Sequence, residues 1–300
     1  MENIQDISIQ KALDDNYMPY AMSVIVDRAL PKIDGFKPAH RKLLYTMYKM
    51  GLLTKPKTKS ANIVGQTMAL NPHGDGAIYG TLVRLTENHE AMLVPLISSK
   101  GNFGKYYSRD MAYAAARYTE AGLLPVASTL FDGIEEDAVD LVPNYDGTML
   151  EPELLPVKFP LILVDNSMGI AVSMASSFGG YNLIETCQAV IDFLKTGNHT
   201  PLIPDFSTKG FIINDEAAIE EIDRTGKGSI TLRGKASVTS DARSIEITEL
   251  PYSCSIEQLL ESVISLVKSG KLKDITDIRD MTDISGMRIL VELSKGVDLS

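Results

Sequence analysis

One residue pair in this sequence has the chemistry to attack a phosphate, an arginine followed by a tyrosine at Arg117-Tyr118. A tyrosine phenol has a pKa of about 10, so it attacks phosphorus only where neighbouring cations or a metal favour the phenolate and stabilise the charged transition state. By itself the pair is weak support for catalysis, because a half-buried tyrosine at the end of a helix is much commoner. The charge of the surrounding residues therefore has to distinguish a catalytic tyrosine from a half-buried one.

That charge is unevenly distributed. The 300 residues carry a net charge of −10, but residues 28–117 contain 14 Lys and Arg against 5 Asp and Glu. This segment is therefore +9, and the rest of the chain is −19. A cluster of cations within an acidic chain is the usual electrostatic sign of binding to a phosphate backbone. A basic solvated face balanced by acidic neighbours is the alternative.

The elements that would position these cations are three helices. Pro38 can start the first, which Gly51 ends after a buried stripe of Leu43, Leu44, Met47 and Met50. A second helix is predicted over 60–70 and a third over about 75–85, with a turn at 71–74 between them. Helix, short turn and helix is an arrangement that binds DNA, although the pattern also arises in unrelated proteins.

The third predicted helix has one face with almost no side chains. Gly76, Gly80 and Arg84 lie on that face at four-residue spacing. Each interior glycine costs a helix about 1 kcal/mol relative to alanine, so two of them suggest that something approaches the backbone closely. A weak helix held by packing is the alternative.

The rest of the chain is predicted to be an acidic connector followed by an α+β half. Residues 132–153 contain eight acids and no Lys or Arg. Strands are predicted at 161–164, 230–232, 244–248 and 288–293, and helices at 183–195, 216–224 and 256–268. The last five residues carry no cap or stop signal, so the chain can be read as a piece of something longer.

Composition excludes several classes of protein. With 44% hydrophobic and 23% charged residues, the chain is predicted to be soluble and globular. The longest uncharged stretches, 60–74 and 166–184, are studded with Gly, Ser and Asn, so no membrane span is expected. Acids precede the first lysine, unlike in a secretory signal, so a cytoplasmic location is expected. Cys187 and Cys254 lack metal-ligand spacing and are expected to be buried thiols.

Several motifs occur in one order along nearly the whole chain. They are Arg28-Ala29-Leu30-Pro31, Asp34-Gly35-Phe36-Lys37-Pro38-Ala39-His40-Arg41, Pro72-His73-Gly74-Asp75, Gly101-Asn102-Phe103-Gly104, Arg117-Tyr118-Thr119-Glu120, Val142-Pro143-Asn144-Tyr145-Asp146-Gly147, Gly169-Ile170-Ala171-Val172 and Asp283-Ile284-Ser285-Gly286-Met287-Arg288-Ile289. Together they closely resemble the amino-terminal breakage-reunion region of the A subunit of bacterial type IIA topoisomerases, DNA gyrase and topoisomerase IV.

The resemblance implies an α+β fold in three parts. An amino-terminal arm would cover residues 1–27, and a winged-helix (helix-turn-helix) DNA-binding domain with the catalytic tyrosine would cover 28–150. Residues 151–300 would form an incomplete α/β tower domain.

The resemblance also implies catalytic roles for three residues. Tyr118 would attack a DNA phosphodiester, form a 5′-phosphotyrosyl link and release a 3′-hydroxyl, with Arg117 and Arg28 stabilising charge on the phosphoryl oxygens. Neighbouring helical residues point about 100° apart, so either Arg117 reaches round to the tyrosine or the backbone leaves the helix there. The sequence leaves both open.

Further positions match residues that contact DNA or a drug in the family. Ile170 matches an isoleucine that wedges between base pairs, and the face of the third helix adds Arg84. Matching DNA-contacting or site-lining positions are Lys37, His40, Arg41, Lys42 and His73. Gly76 and Gly80 stand where the family usually has a serine and an acid that anchor quinolone drugs through hydrated magnesium, so weak quinolone poisoning is predicted.

Cofactors and partners follow from the same resemblance. Mg²⁺ and ATP are expected on a separate B subunit with a Toprim domain, since no acidic cluster in this sequence has metal-ligand spacing. Cutting both strands of double-stranded DNA needs two tyrosines, which implies an A-subunit homodimer and an A2B2 heterotetramer. No membrane partner is expected, and the location would be cytoplasmic and nucleoid-associated.

Divergent motifs bear on which member of the family this is. Tyr106-Tyr107-Ser108-Arg109 replaces an acidic loop, and such departures favour topoisomerase IV slightly, with gyrase as the alternative. A non-catalytic winged-helix DNA-binding protein is the alternative of another class. An unrelated acidic metabolic enzyme is disfavoured, because no nucleotide-binding glycine loop or nucleophile elbow is present.

Overall fold

The amino-terminal segment is a helical arm. The structure, a computed structural model, describes residues 6–213, 216–283 and 285–297. In the arm, α1 (Ile9–Ala12) and α2 (Met18–Val24) are each followed by a π-helical turn, so helical backbone continues to Ala29. The Ser8 side chain caps the arm by accepting a hydrogen bond from a first-turn N–H. Residues 1–5 of the predicted arm lie outside the described residues.

Three helices pack together in the first core. They are α3 (Pro38–Lys49), α4 (Ser60–Thr67) and α5 (Asp75–Arg84), and they confirm the predicted helices, although the second ends three residues earlier than expected. Pro38 lies in the first turn of α3, where its missing N–H costs no helical hydrogen bond. The buried side chains of these helices include Leu43, Leu44, Met47, Ile63, Ile78 and Leu82.

A small antiparallel sheet completes this core. It contains β1 (Thr58–Lys59), β2 (Ile97–Lys100) and β3 (Glu120–Leu123), with β3 in the centre. β3 begins two residues after Tyr118. The sheet therefore ties the candidate nucleophile directly to the three helices.

The acidic segment at 132–153 is part of the first core rather than a plain connector. β4 (Leu141–Pro143) and β5 (Leu150–Pro152) form a hairpin within it. Asn144, in the turn of this hairpin, is buried and donates a 2.8 Å hydrogen bond to the Ala69 carbonyl. Acidity alone did not reveal this packing, because it depends on contacts with distant residues, such as the pair between Glu151 and Lys42.

The predicted strand at 161–164 is wrong, because these residues form the short helix α6 (Leu161–Val164). A run of four apolar residues does not distinguish a strand from a buried helical turn by periodicity. Packing decides here, since Leu161 and Val164, three residues apart, are both buried while Leu163 is exposed. The first core includes both, so its packing continues to residue 164 rather than ending at 150.

Two short strand pairs and a helix follow. The first pair is a hairpin of β6 (Ser167–Ile170) and β7 (Ala175–Phe178), and the second joins β8 (Gly180–Tyr181) to β9 (Pro204–Asp205). α7 (Leu183–Thr196) lies between β8 and β9 and confirms a predicted helix.

The remaining residues alternate strands and helices, as the sequence predicted for an α+β half. The helices α8 (Glu216–Thr225) and α9 (Ile256–Lys268) agree with prediction, whereas the strand expected at 230–232 is displaced to β11. The strands are β10 (Phe211–Ile212), β11 (Leu232–Arg233), β12 (Lys235–Val238), β13 (Ser244–Glu249), β14 (Ile275–Asp280) and β15 (Ile289–Leu293). Positions 214–215, 284 and 298–300 of the predicted tower domain are outside the described residues.

A second, smaller core forms beneath the four-stranded sheet β12-β13-β15-β14. It buries Leu250, Ile256 and Ile289 together with Tyr107, which comes from the loop before the candidate nucleophile. The two cores therefore meet at this loop. In the part of the chain that the structure describes, no helix combines the length and apolarity needed to cross a bilayer.

Candidate functional site

Tyr118 lies in a turn and not at the end of a helix. The alanine-rich residues before it, 112–115, are irregular, and the turn is closed by a 2.9 Å hydrogen bond from the Tyr118 N–H to the Ala115 carbonyl. Alanine favours helix, but the Ala114 N–H is already paired with the Asn102 carbonyl at 3.0 Å. A long-range backbone hydrogen bond thus overrides local propensity.

The turn brings Arg117 and Tyr118 together. The Arg117 guanidinium carbon lies 4.8 Å from the centroid of the Tyr118 ring, and the tyrosine side chain is 65% exposed. The question that the sequence left open is therefore answered, because the backbone leaves the helix and adjacent side chains can meet. A guanidinium in this place can reach an arriving phosphate and stabilise its negative charge.

Buried hydroxyl groups hold the backbone of this turn in place. Thr119 is fully buried, and its hydroxyl donates to the Ser60 hydroxyl at 2.8 Å and lies 2.9 Å from the Tyr79 hydroxyl. The Tyr79 hydroxyl donates in turn to the Ala114 carbonyl at 2.7 Å. Sequence reasoning missed Ser60, Tyr79 and Thr119, since the pairing of their hydroxyls depends on three distant elements. The result is an exposed phenol on a fixed backbone.

A cationic cluster of Lys37, His40 and Arg84 forms where α3 begins and α5 ends. The Lys37 ammonium donates to the Met168 carbonyl at 2.8 Å, and Arg84 donates to the Asn166 side-chain oxygen at 3.2 Å. Burial and the neighbouring Arg84 lower the pKa of Lys37. Lys37 therefore connects the first core to the β6–β7 hairpin, and Arg84 bonds to the residue just before it.

His40 is neutral in this cluster. Burial, followed by the charges of Lys37, Arg84 and Arg41, lowers the pKa of His40 to about 3, which the nearby Asp34 only partly opposes. The sequence suggested a cationic phosphate contact here. The structure instead offers an imidazole that gains a proton only where an anion offsets the surrounding cations.

Arg41 is not on the cationic surface, which corrects the prediction that it contacts DNA. Its side chain is buried, and Nε and Nη2 donate to the two Asp34 carboxylate oxygens at 2.7 and 2.9 Å. Nη2 also donates to the Phe36 carbonyl at 3.0 Å. The Asp34 carboxylate accepts further bonds from the Phe36 and Leu155 N–H groups. This two-oxygen pairing gives Arg41 a structural role.

Lys42 and His73 flank the turn before α5. The Lys42 ammonium donates to the Leu70 carbonyl at 2.8 Å and lies 3.1 Å from the Glu151 carboxylate, so its charge is already paired. His73 is exposed, and its N–H is 3.4 Å from the side-chain oxygen of the buried Asn71. Lys42 thus supports the turn, and His73 is free to meet a ligand from solvent.

Arg28 and Ile170 lie on neighbouring elements. A Cβ added to Gly169 would be 2.1 Å from the Ala29 carbonyl oxygen, so the β6–β7 hairpin packs directly on the last turn of the arm. Ile170 projects from this hairpin and is 76% exposed. Arg28 is also exposed. Within the described residues no hydrogen bond joins Arg28 to Tyr118, whereas the Arg117 guanidinium lies over the Tyr118 ring.

The glycine face of α5 is open. A Cβ added to Gly76 or Gly80 would meet nothing within 4 Å. No part of the described chain therefore approaches the backbone there, and packing requires glycine at neither position.

A buried carboxyl group lies between α6 and the β6–β7 hairpin. Asp165 is 8% exposed, and its Oδ1 accepts from the Leu93 and Val94 N–H groups at 3.0 and 3.2 Å, while Oδ2 has no hydrogen-bond partner among the described residues. Burial raises the pKa of Asp165 to about 7, although the two N–H groups and Arg84 oppose the shift. The folded chain therefore holds this proton more tightly than the unfolded chain does.

We expect Asp165 to make stability fall as pH rises. Between about pH 4 and pH 7 the native state keeps a proton that the unfolded state loses, so its share of the unfolding free energy falls by at most ~1.4 kcal/mol per pH unit. Asp165→Asn should remove this slope in urea unfolding measured from pH 5 to 8. The exposed Asp15→Asn should leave it unchanged, and an unchanged slope in Asp165→Asn would contradict the assignment.

The described residues contain no group of three or more His, Cys, Asp or Glu side chains placed to hold a metal ion. The side chain packed on Tyr118 is a guanidinium, which repels a divalent cation rather than binding it. Arg117 and Tyr118 themselves provide no carboxylate ligand for Mg²⁺.

The site thus combines an exposed phenol on a fixed turn with a cationic cluster and an exposed apolar hairpin, which suits a protein that acts on a nucleic-acid backbone. Over residues 28–300 the chain matches the family model that describes the A subunit of DNA gyrase/topoisomerase IV. The chain belongs to this family.

Curated relatives agree with the family match. Three proteins, each named as the A subunit of DNA gyrase, are similar to this chain. That of Mycolicibacterium smegmatis is 40% identical over 98% of this chain and 36% of its own length. That of Brachyspira hyodysenteriae is 41% identical over 99% of this chain and 37% of its own length. That of Aeromonas salmonicida is 41% identical over 98% of this chain and 33% of its own length. The chain therefore spans about a third of the length of these relatives. Their names favour the gyrase alternative over the topoisomerase IV preference of the sequence analysis.

Proposed function

We propose that this chain is the DNA breakage and rejoining part of the A subunit of a type IIA topoisomerase of the gyrase kind. The observation that carries the proposal is the exposed Tyr118 phenol under the Arg117 guanidinium, on a turn fixed by buried hydroxyl groups. Topoisomerase IV is the second candidate within the family. The names of the relatives support gyrase, and the divergent Tyr106-Tyr107-Ser108-Arg109 segment is the reason to keep the second.

In the proposed reaction the Tyr118 phenolic oxygen attacks a backbone phosphorus. A phosphorus–oxygen bond forms to tyrosine as the phenol releases its proton to solvent, the bond from phosphorus to the 3′ oxygen breaks, and that oxygen takes a proton from solvent to leave as a 3′-hydroxyl. The reverse attack by the hydroxyl reseals the strand, so the link conserves the bond energy. Arg117 stabilises the developing phosphoryl charge, and we assign the same task to Arg28.

DNA would lie across the cationic cluster and the hairpin. Lys37, Arg84 and His73 would face backbone phosphates, with the neutral His40 imidazole beside Lys37 and Arg84. Ile170, exposed at the hairpin, suits insertion between base pairs, a step whose unstacking cost is a few kcal/mol. We identify the three helices and the β1-β3-β2 sheet with the winged-helix domain, and the second half with the tower domain.

Partners would complete the site. We propose that a B subunit with a Toprim domain brings Mg²⁺ and the ATPase, since the described residues lack a metal-ligand cluster. Two A subunits would place one tyrosine on each DNA strand, in an A2B2 assembly that passes a second duplex through the break.

The test is reconstitution of the full-length subunit with its B subunit, Mg²⁺, ATP and closed circular DNA. A covalent complex between Tyr118 and a DNA 5′ end supports cleavage, and introduction of negative supercoils identifies gyrase. Decatenation without supercoiling would favour topoisomerase IV. Absence of any covalent complex would leave the non-catalytic DNA-binding alternative.

The open glycine face leads to a prediction about drugs. We expect weak stabilisation of cleavage by quinolones, because Gly76 and Gly80 offer no side chain to hold a hydrated magnesium ion. The double variant Gly76→Ser, Gly80→Asp should fold, since both Cβ positions are open, and should lower the drug concentration needed for half-maximal cleavage by about tenfold or more, ~1.4 kcal/mol of binding.

The matched control is Gly76→Ala, Gly80→Ala, which fills the same space without polar groups and should stay insensitive. Strong cleavage at low drug concentration by the unmodified protein would contradict the prediction.

A further inference from the structure

The loop before Tyr118 is held by the second core. This loop, residues 105–111, is named the Tyr107 loop. Its Tyr107 side chain is buried beside Leu250 and Ile289, and its Tyr107 carbonyl accepts a 3.0 Å hydrogen bond from the Ile256 N–H. The backbone and a side chain of the loop are therefore both fixed by elements more than 100 residues away in sequence.

Glu257 adds a denser set of bonds to the same loop. Its Oε1 accepts from the Ser108 hydroxyl at 2.6 Å, from the Arg109 N–H at 3.0 Å and from the Asp110 N–H at 3.2 Å. Its side chain is only 13% exposed. Burial opposes ionisation, but these bonds together lower the pKa of Glu257 to about 2. Bonds to an ionised acceptor of this kind are roughly twice as strong as neutral ones.

The start of α9 fixes Glu257 itself. The Ser255 side chain accepts from the Gln258 N–H, and the Gln258 side chain accepts from the Ser255 N–H, which forms a capping box around the first turn. Glu257 therefore projects from the first turn of α9, which the capping box fixes.

Between the loop and the nucleophile the chain has little freedom. The Met111 N–H donates to the Ser108 hydroxyl at 3.2 Å, and the Met111 carbonyl accepts from the Lys105 N–H at 3.1 Å. Asn102 then donates to the Ala112 carbonyl, and Ala114 is held by Tyr79. The segment between the Tyr107 loop and Tyr118 is therefore hydrogen-bonded at several positions, so a shift of the loop is transmitted to Tyr118.

We propose that Glu257 is a positioning residue for Tyr118, which acts by holding the Tyr107 loop and so sets where the Arg117-Tyr118 turn meets DNA. This inference rests on the proposed cleavage activity. The purely structural reading is that Glu257 only attaches the second core to the first. A positioning role predicts that removing the carboxylate slows adduct formation. A purely structural role predicts that it lowers only the melting temperature.

The experiment uses the full-length subunit reconstituted with its B subunit, Mg²⁺ and a duplex DNA, in three variants. Glu257→Ala removes the acceptor, Glu257→Gln keeps an uncharged one, and Glu261→Ala is the matched control. Glu261 lies one turn further along α9, its side chain is 75% exposed, and it lies 3.5 Å from the Arg109 guanidinium, which is also 3.8 Å from the Glu257 carboxylate. The control therefore removes a charge beside the loop but leaves the three hydrogen bonds to Glu257 from Ser108, Arg109 and Asp110 in place. For each we measure DNA affinity, melting temperature and the single-turnover rate of covalent adduct formation at saturating DNA.

Misplaced reacting groups lose rate and not affinity, so we expect Glu257→Ala to slow adduct formation by about tenfold or more with DNA affinity unchanged. Glu257→Gln should restore part of that loss, and Glu261→Ala should react at the wild-type rate. If Glu257→Ala does not fold, a roughly threefold slower Glu257→Gln supports the same conclusion.

Two results would overturn the inference. One is a wild-type rate in Glu257→Gln and in any folded Glu257→Ala, and the other is an equal loss in Glu257→Ala and Glu261→Ala. If the wild-type reconstituted enzyme forms no adduct, the proposed function fails instead, so the two failures are distinguishable.

Discussion

Tyr118→Phe is expected to abolish the covalent protein–DNA complex. Phenylalanine keeps the ring under the Arg117 guanidinium and removes only the oxygen that would attack phosphorus. The backbone of the turn is held by Thr119 and its hydroxyl partners, so the variant should fold and bind DNA normally. Denaturant trapping of 5′-end-linked protein, after reconstitution with Mg²⁺ and the B subunit, measures the loss.

The chain provides a matched control for this substitution. Tyr113 is a second exposed tyrosine, 45% exposed and five residues earlier, and it packs edge-to-face on Tyr79 at 5.4 Å. Tyr113→Phe keeps that packing and should leave adduct formation intact. A complex that persists in Tyr118→Phe, or one that disappears in Tyr113→Phe, would assign the nucleophile to another residue.

The second large effect is expected on stability. Arg41→Met removes the guanidinium from a buried pair and leaves the Asp34 carboxylate, which is 5% exposed, without its cation. Breaking such a pair by removing one partner costs about 3–5 kcal/mol of unfolding free energy. Urea unfolding of the purified chain, with the midpoint and slope compared between variants, measures the loss.

Lys49→Met is the control for Arg41→Met. Lys49 lies on the same helix, α3, and its 3.7 Å pair with Glu135 is exposed, so its loss should cost about 0–1 kcal/mol. Because Arg41 lies under the surface, the salt dependence of DNA binding should also stay unchanged below the unfolding midpoint. Equal stability losses in the two variants would show that the Arg41–Asp34 pair is not a buried one.

Much of the fold was predictable, because the signals that start and end a helix lie close together in the sequence. Apolar spacing and terminal residues such as Pro38 indicate helices α3, α5 and α9, because these signals act within one or two turns of the chain. The same reasoning gave a wrong strand at the α6 residues, because a run of four apolar residues is too short to show a helical or strand period. The alanine-rich run before Tyr118 favours helix by residue type, but the Ala114 N–H bonds to the Asn102 carbonyl and not along a helix.

Some residues of the candidate site could likewise be predicted from the sequence, and others could not. Motifs in order located Tyr118, Arg117 and the family, and charge counting located the basic segment. Neither could separate Arg41 from Lys37, because both are cations four residues apart and only burial distinguishes their roles. Neither pointed to Tyr79, Ser60 or Glu257, whose roles depend on partners far away in the chain.

The sequence by itself determined the candidate nucleophile, the family, the excess of cations before Tyr118 and the helices that carry them, because residue type and short-range spacing are sufficient for each. Only the tertiary structure decided which cations remain available, that the tyrosine sits on an irregular turn, and that a second core clamps the loop before it. Those properties arise from burial and from hydrogen bonds between distant segments, and a one-dimensional pattern contains neither.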